Sequence, residues 1–461
     1  MKKKSYDTIM IGCGTAGIFA GYELNKLSPG MSILMLEQGN DIYHRSCPIV
    51  DKKCESCISC SSCAIMNGFG GAGAFSDGKY NFTTQFGGWL SDYLDKRVIM
   101  DLIEYVDTIN VDFGATLQRF STDSPEARSI SRKALSYDLH LLDAEVKHLG
   151  TENNKKILTN LFDFLSERVE IVCRSPVEAI EPLEDGYRVV LTSGEEVMCR
   201  YLVVAPGRSG AEWFSTQCNR LNLPLINNQV DIGVRVELPA MVFESITDIV
   251  YESKFLYRTK QYGDLVRTFC MNPYGHVVSE NVDGIITVNG HSYTDPALRS
   301  SNTNFALLVS NRFTKPFNQP YQYGKRIASL SNMLGGGVIV QRFGDLIKGK
   351  RTNEHRLSQS FTQPTLKATP GDLSLVLTKR HLDNLIEMIT ALDKIAPGTA
   401  NNDTLLYGVE VKFYSSRLEL SSQFETKLPN LFAIGDGAGI TRGLSQAAAS
   451  GVHVARVIAG R

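Results

Sequence analysis

The stretch that decides the fold is YDTIMIGCGTAG at residues 6–17. A short, mostly apolar run leads into Gly12, Gly14 and Gly17 in G-x-G-x-x-G order, and IFAGYELNKL follows with apolar positions at helical spacing. This reads as strand, glycine turn and helix. The first glycine permits the tight turn, the second lets backbone approach a pyrophosphate, and the third lets the helix pack closely on the strand. Phosphates would meet N–H groups at the helix N-terminus, around Thr15 and Ala16. A second strand, MSILMLEQG, ends in Glu37 and Gln38, with Glu37 25 residues after Gly12, where a carboxylate can accept the ribose hydroxyls of an adenosine.

Near the C-terminus, LPNLFAIGDGAG gives an apolar strand and then Gly435-Asp436-Gly437, followed by a small-residue helix through 443–459. This arrangement resembles FAD-binding Rossmann proteins. The resemblance implies that Asp436 holds the ribityl and pyrophosphate side, and that the helix opening at Gly443 and Leu444 aims its N-terminus at the flavin. A helix dipole of about half a charge would stabilise an anionic reduced flavin there. GEEVMCRYLVVAPGRSG (194–210) is similar to the strand-and-glycine segment between the two, with Ala205 and Gly207 at its turn. The segment before it resembles the β-meander of such proteins, with Val177 where the adenine contact lies. The implied cofactor is noncovalent FAD.

The run SCPIVDKKCESCISCSSCAIMNGFGGAGAFSDGKYN (46–81) resembles the uncharacterised FAD-dependent dehydrogenase family of bacteria and archaea, as do FCMNPYGHVV (269–278), VNGHSY (288–293), GGGVIVQRFGDLIKGKRT (335–352) and GDGAGITRGLSQAAASGV (435–452). The chain departs from the family once: Cys270-Met271-Asn272-Pro273-Tyr274-Gly275 stands where the family reads Cys-Met-Cys-Pro-Gly-Gly. The glycines at 68, 70, 71 and 73 make a loop with no side chains in the way at those positions, so the backbone at Gly71 and Ala72 can lie against pyrophosphate or flavin, with Ser76 a polar end. The competing reading is a turn that serves close packing alone.

Of the ten cysteines, Cys47, Cys54, Cys57, Cys60 and Cys63 fall within seventeen residues. Without a secretory signal this clustering favours metal or redox chemistry over structural disulfides. The spacings resemble, in mirror order, a ferredoxin run of close cysteines plus Cys-Pro, so a [4Fe-4S] cluster is one expectation; structural zinc and metal-free thiols are the others. A cluster would be fed by a ferredoxin-like partner, and NAD(P)H is an alternative donor.

The whole chain has 461 residues, 48 Lys+Arg against 49 Asp+Glu, and 43% hydrophobic residues. That composition excludes disorder and offers no sequence-independent grip on nucleic acid. No stretch approaches eighteen apolar residues, so no membrane span and a cytoplasmic location are expected. The expected architecture is a discontinuous, glutathione-reductase-like FAD domain (1–90, 150–215, 401–461), a helical insertion at 91–149, and an α+β substrate or cap domain at 216–400, with helical spacing over 90–170 that takes in LLDAEVKHLG (141–150). No second strand-then-GxGxxG is present, which argues against a dedicated NAD(P) domain.

Candidate acids and bases in the cap are His291 and Tyr293, with Tyr274 and His276 behind them; Arg442 would neutralise flavin O2 or a substrate carboxylate. Each has a competing reading as a packing or domain-junction residue. The reading is an FAD-dependent dehydrogenase or reductase of a small organic substrate. The alternatives are a flavin monooxygenase and a non-catalytic flavin and thiol redox relay.

Overall fold

The computed structural model describes the chain apart from residues 49–50, 52, 54–57, 59, 61, 77, 122, 143–144, 227, 251, 283, 294–295, 315, 318, 413 and 415. The described residues form a mixed α/β structure in two compact units, one of Met1–Arg119, Ala144–Asn228 and Ser415–Arg461, the other of Phe120–Asp143 and Gln229–Tyr414. The stretch expected as one helical insertion is therefore divided between them.

The first unit is built on β1 (Ser5–Ile11), α1 (Thr15–Leu27) and β2 (Ile33–Leu36). β1 pairs in parallel with β2 on one side and with the strand Glu196–Val204 on the other. That nine-residue strand is long enough to serve two further partners. Its first part runs antiparallel to Gly186–Leu191, and Leu202, Val203 and Val204 run parallel to Leu431, Phe432 and Ala433. Residues more than two hundred positions apart thus pair in one sheet. Ile9, Met10, Leu34 and Met35 are fully buried, as strands covered on both faces require.

α1 lies against the C-terminal helix Leu444–Ala459, and glycine and alanine set the distance between them. A Cβ on Gly451 would come within 2.2 Å of the Ala16 carbonyl oxygen. No larger residue fits there without moving a helix.

Residues 91–170 correct one expectation. Helices form at Lys96–Asp112, Pro125–Leu135 and Thr151–Ser166, but LLDAEVKHLG does not join them. It contributes a strand, Glu145–His148, antiparallel to Lys79–Phe82. The ladder partner lies some sixty-five residues upstream, so tertiary pairing overrides a helix-like local pattern.

In the second unit, eight strands form one sheet, and Val230–Pro239 sits inside it between Leu405–Lys412 and Asn302–Asn311. Its side chains alternate cleanly. Ile232, Val234, Val236 and Leu238 join Leu385, Met388, Ile389 and Leu392 of the helix Lys379–Asp393 in one apolar core. On the other face Asp231, Arg235 and Glu237 are buried and paired: Arg235 with Glu410 at 3.2 Å, Asp231 with Arg267 and Tyr414, Glu237 with Tyr407 and Thr365. Burying such a row is tolerable because every charge meets a partner.

Candidate dinucleotide site

Gly12 (φ +98°) turns the chain from β1 into α1, and a Cβ there would lie 2.1 Å from the Ala205 carbonyl oxygen. Gly17 is equally constrained, with Gly12 O 2.0 Å from its Cβ position. Gly14 differs. A Cβ at Gly14 would meet only the Gly71 Cα, at 3.8 Å, so internal packing does not demand glycine at this place. Gly14 is the N-cap of α1 and offers no side-chain cap to the helix. Gly443 repeats the arrangement at the C-terminal helix: it is the N-cap, supplies no side-chain cap, and its Cβ would meet only Gly87 Cα at 3.8 Å. Two long helices thus begin at glycines that leave room over their N-termini, which suits a negatively charged ligand with two anchoring regions.

The loop 68–76 closes on this turn. Gly70 N–H donates to the Cys13 carbonyl at 2.8 Å, and Gly14 and Gly70 form a parallel bridge. Gly71 (φ +58°) begins a short 3-10 turn, Gly71–Phe75, that includes Ala72. A Cβ on Gly73 would meet Leu444 at 2.9 Å and Thr15 Oγ1 at 3.2 Å, so the loop, α1 and the C-terminal helix converge. Ser76 Oγ donates to Gly73 O at 2.7 Å and acts on the loop itself.

Glu37 is buried and accepts three backbone N–H groups: Cys13 at Oε2, and Gly39 and Gly68 at Oε1, all at 2.9 Å. One carboxylate thereby ties the glycine turn, its own strand end and the loop together. A carboxylate has about four acceptor positions, so three amides leave capacity for a ribose hydroxyl. Gln38 Nε2 donates to Asn67 Oδ1 at 2.8 Å. Ser175 N–H donates to the Glu37 carbonyl, which brings the strand opening at Val177 alongside the end of β2.

On the other flank, Gly435 (φ +75°) would set a Cβ 3.1 Å from the Ala16 Cβ, and a Cβ on Gly437 would meet Gly207 O at 2.5 Å. Asp436 follows. Thr441 Oγ1 donates to its Oδ1 at 2.8 Å. Burial pushes the Asp436 carboxyl up, and the charges of Arg208 and Arg442 pull against that shift. Arg442 N–H donates to Gly87 O at 2.8 Å at the foot of the C-terminal helix.

Two features of this region escaped sequence reading. Gly87 and Gly88 (φ +97° and +143°) run beside Ile440–Arg442, with Trp89 N–H on Ile440 O; the paired glycines in FGGW were the available signal. Arg45 is buried beneath the loop 64–71, and nothing in its spacing announced that.

His291 and Tyr293 belong to the second unit. His291 ends a hairpin opposite His276, and the Tyr293 ring meets His291 edge-on at 4.7 Å and His276 at 5.6 Å. His276 Nε2 bonds Leu298 O at 2.9 Å. In the preceding turn Tyr274 stands at φ +52°, where a glycine costs less, and Asn272 Nδ2 lies 3.9 Å from Cys270 Sγ. Arg442, by contrast, stands with the glycine cluster of the first unit.

Cys54 and Cys57 lie outside the described residues, while Cys47, Cys60 and Cys63 are free thiols. Among the described residues no group of three or more His, Cys, Asp or Glu could hold a metal ion. No helix among them is long and apolar enough to cross a membrane.

Residues 229–413 match the family model described as "FAD-dependent protein, C-terminal domain-like", nearly the main segment of the second unit. An uncharacterised protein of Clostridium beijerinckii is 26% identical over 98% of this chain and 80% of its own length. Solved structures similar to the chain include 2,6-dihydroxypyridine-3-hydroxylase from Arthrobacter nicotinovorans (9% identity, 99% of this chain and 83% of that one, TM-score 0.42). A variant of E. coli quinol fumarate reductase is another (12% identity, 100% and 71%, TM-score 0.41). Likeness at that level carries no argument about activity. The domain match and the full-length relative together support an FAD-dependent protein.

Proposed function

We propose that this chain is an FAD-dependent dehydrogenase or reductase of a small organic molecule. The observation that carries the reading is the convergence of two uncapped glycine N-termini, Gly14 and Gly443, with the buried carboxylate of Glu37 and the half-buried one of Asp436 in one unit. We assign Glu37 to the adenosine ribose, with Gln38 beside it, and Val177 to the adenine. Gly12, Gly14, Thr15, Ala16, Gly17, Gly71, Ala72, Ser76, Ala205 and Gly207 line the pyrophosphate side. Asp436, Gly435, Gly443 and Leu444 take the ribityl chain and ring edge. When bound, the flavin accepts or returns two electrons with a proton.

We assign the remaining work to the chain's own residues. Arg442 supplies positive charge at the N-terminal end of the C-terminal helix, where anionic charge on a ring or a substrate carboxylate is favoured. His291 holds or releases a substrate proton, and Tyr293, edge-on to it, orients the imidazole. Electron exchange through a cluster on Cys47, Cys54, Cys57, Cys60 and Cys63 rests on spacing alone, so no step is routed through it. Iron and sulfide analysis of anaerobically purified protein tests that part. A ferredoxin-like protein or NAD(P)H is the proposed donor.

The main test is reconstitution with FAD, then anaerobic mixing with a panel of small metabolites, followed by admission of labelled dioxygen. Bleaching of the flavin band by a substrate, with no incorporation of labelled dioxygen into product, supports the proposal. Incorporated oxygen would make the protein a monooxygenase. A flavin that binds but never turns over would leave a redox relay.

A further inference from the structure

Arg45 is only 4% exposed, and among the described residues all of its hydrogen bonds end on backbone carbonyls. Nε and Nη2 reach Ala64 O at 3.0 and 2.6 Å, and Nη2 also reaches Ile65 O at 2.9 Å. Nη1 reaches Phe69 O at 2.8 Å and Gly71 O at 2.7 Å. The Phe75 ring lies 5.0 Å from the guanidinium carbon. No carboxylate is among these partners; Glu37 acts on Arg45 through space and spends its oxygens on backbone amides. A buried cation without a bonded anion is costly, and its charge stays available to a second anion nearby.

The planarity of the peptide bond says where that anion would lie. In each peptide the C=O and the next N–H point in opposite directions. Carbonyls 69 and 71 turn in toward Arg45, so the N–H groups of Gly70 and Ala72 turn away from it. Gly70 N–H reaches Cys13 O in the glycine turn. Gly71, carrying the next peptide, lies where its Cβ would be 3.0 Å from Gly14 Cα, at the N-cap of α1. Arg45 therefore stands behind the loop on the side opposite the helix end.

We propose that Arg45 is a positioning residue and the buried counter-charge for the pyrophosphate of the dinucleotide, acting through the loop 64–71. The inference rests on the FAD reading above and adds a residue to it. Being spread over four carbonyls, the guanidinium fixes the loop; being unpaired by a carboxylate, it favours a phosphate dianion beyond the loop over a neutral ligand.

The test compares ADP with adenosine as competitors for FAD, read by flavin fluorescence, in wild type, Arg45→Met and Arg45→Lys. The expected result is that Arg45→Met weakens FAD and ADP at least tenfold while adenosine changes less than threefold. Arg45→Lys keeps the charge but loses the fork, so it should melt earlier yet keep the wild-type ratio of ADP to adenosine affinity. Equal losses for adenosine and ADP in Arg45→Met would overturn the proposal and leave Arg45 a structural staple. So would a Lys variant whose ADP preference is as low as that of a folded Met variant. Should Arg45→Met not fold, Arg45→Gln, which also removes the charge, is read by the same criteria. Wild type that binds neither FAD nor ADP would instead remove the flavin reading, an outcome visible before any variant is made.

Discussion

Gly451 of the C-terminal helix and Ala16 of α1 approach so closely that a Cβ on the glycine would fall 2.2 Å from the Ala16 carbonyl oxygen and 2.9 Å from the Ala20 nitrogen. The contact is helix backbone against helix backbone, so neither side can yield by changing a rotamer. It also fixes the spacing of the two helices whose glycine N-caps frame the candidate site.

Gly451→Ala should therefore destabilise the protein by about 1–3 kcal/mol, the usual cost of overpacking, and weaken FAD binding with it. Gly30→Ala is the control, because nothing lies within 4 Å of that Cβ position. Thermal melts of both variants check this; equal melting temperatures would show that the helices separate freely.

Glu37→Ala removes the acceptor of three backbone N–H groups and the proposed ribose contact. Charge-assisted hydrogen bonds are worth about 1.5–3 kcal/mol, so FAD affinity should fall tenfold or more. Glu37→Gln keeps an oxygen for Gly39 and Gly68 but turns an NH2 toward the Cys13 N–H. Titration calorimetry should rank wild type above Gln and Gln above Ala.

Asp436 carries a carboxyl that burial pushes up from its ordinary value. A folded pKa above the unfolded one means that the folded state keeps the proton longer, so stability falls as pH rises from the unfolded value toward the folded one. Asp436→Asn should remove this loss. The apoprotein variant should melt higher than wild type at neutral pH and bind FAD more weakly, a pair of opposite changes measurable by melting with and without cofactor.

In the second unit, burial pulls His381 down to about 4. Its neutral ring is bonded at both nitrogens, to Thr378 Oγ1 at 2.6 Å and Asn311 Oδ1 at 2.9 Å. The folded state binds fewer protons than the unfolded one between these values, so stability is present above about pH 6.5 and is lost as pH falls toward 4, by about 3 kcal/mol at most. Denaturant titrations at pH 7, 5.5 and 4.5 should show that slope in wild type and a flatter one in His381→Gln.

Much of the first unit was legible from residues 6–39, because short apolar runs, glycine freedom and helical spacing are local properties of a short stretch. The placement of Glu37 at the end of β2 followed from the same pattern. The strand at Glu145–His148 was not legible: its charges and apolar residues are spaced as on a helix, and only the ladder to Lys79–Phe82 makes it extended. Nor was Arg45, since a charged side chain is expected in water unless partners are waiting inside, and these partners are carbonyls of residues 64–71 whose orientation exists only after folding.

By itself, then, the sequence determined the order of strand, glycine turn, helix, strand and acid, and the return of the chain to the same sheet at Leu431–Ala433. Tertiary structure alone decided which backbone amides Glu37 gathers, which carbonyls Arg45 holds, and how closely Gly451 brings two helices together. The physical reason is range. Spacing along the chain encodes contacts within a few turns, whereas the partners of a buried charge or a close-packed glycine are set by chain segments that meet only when the core closes.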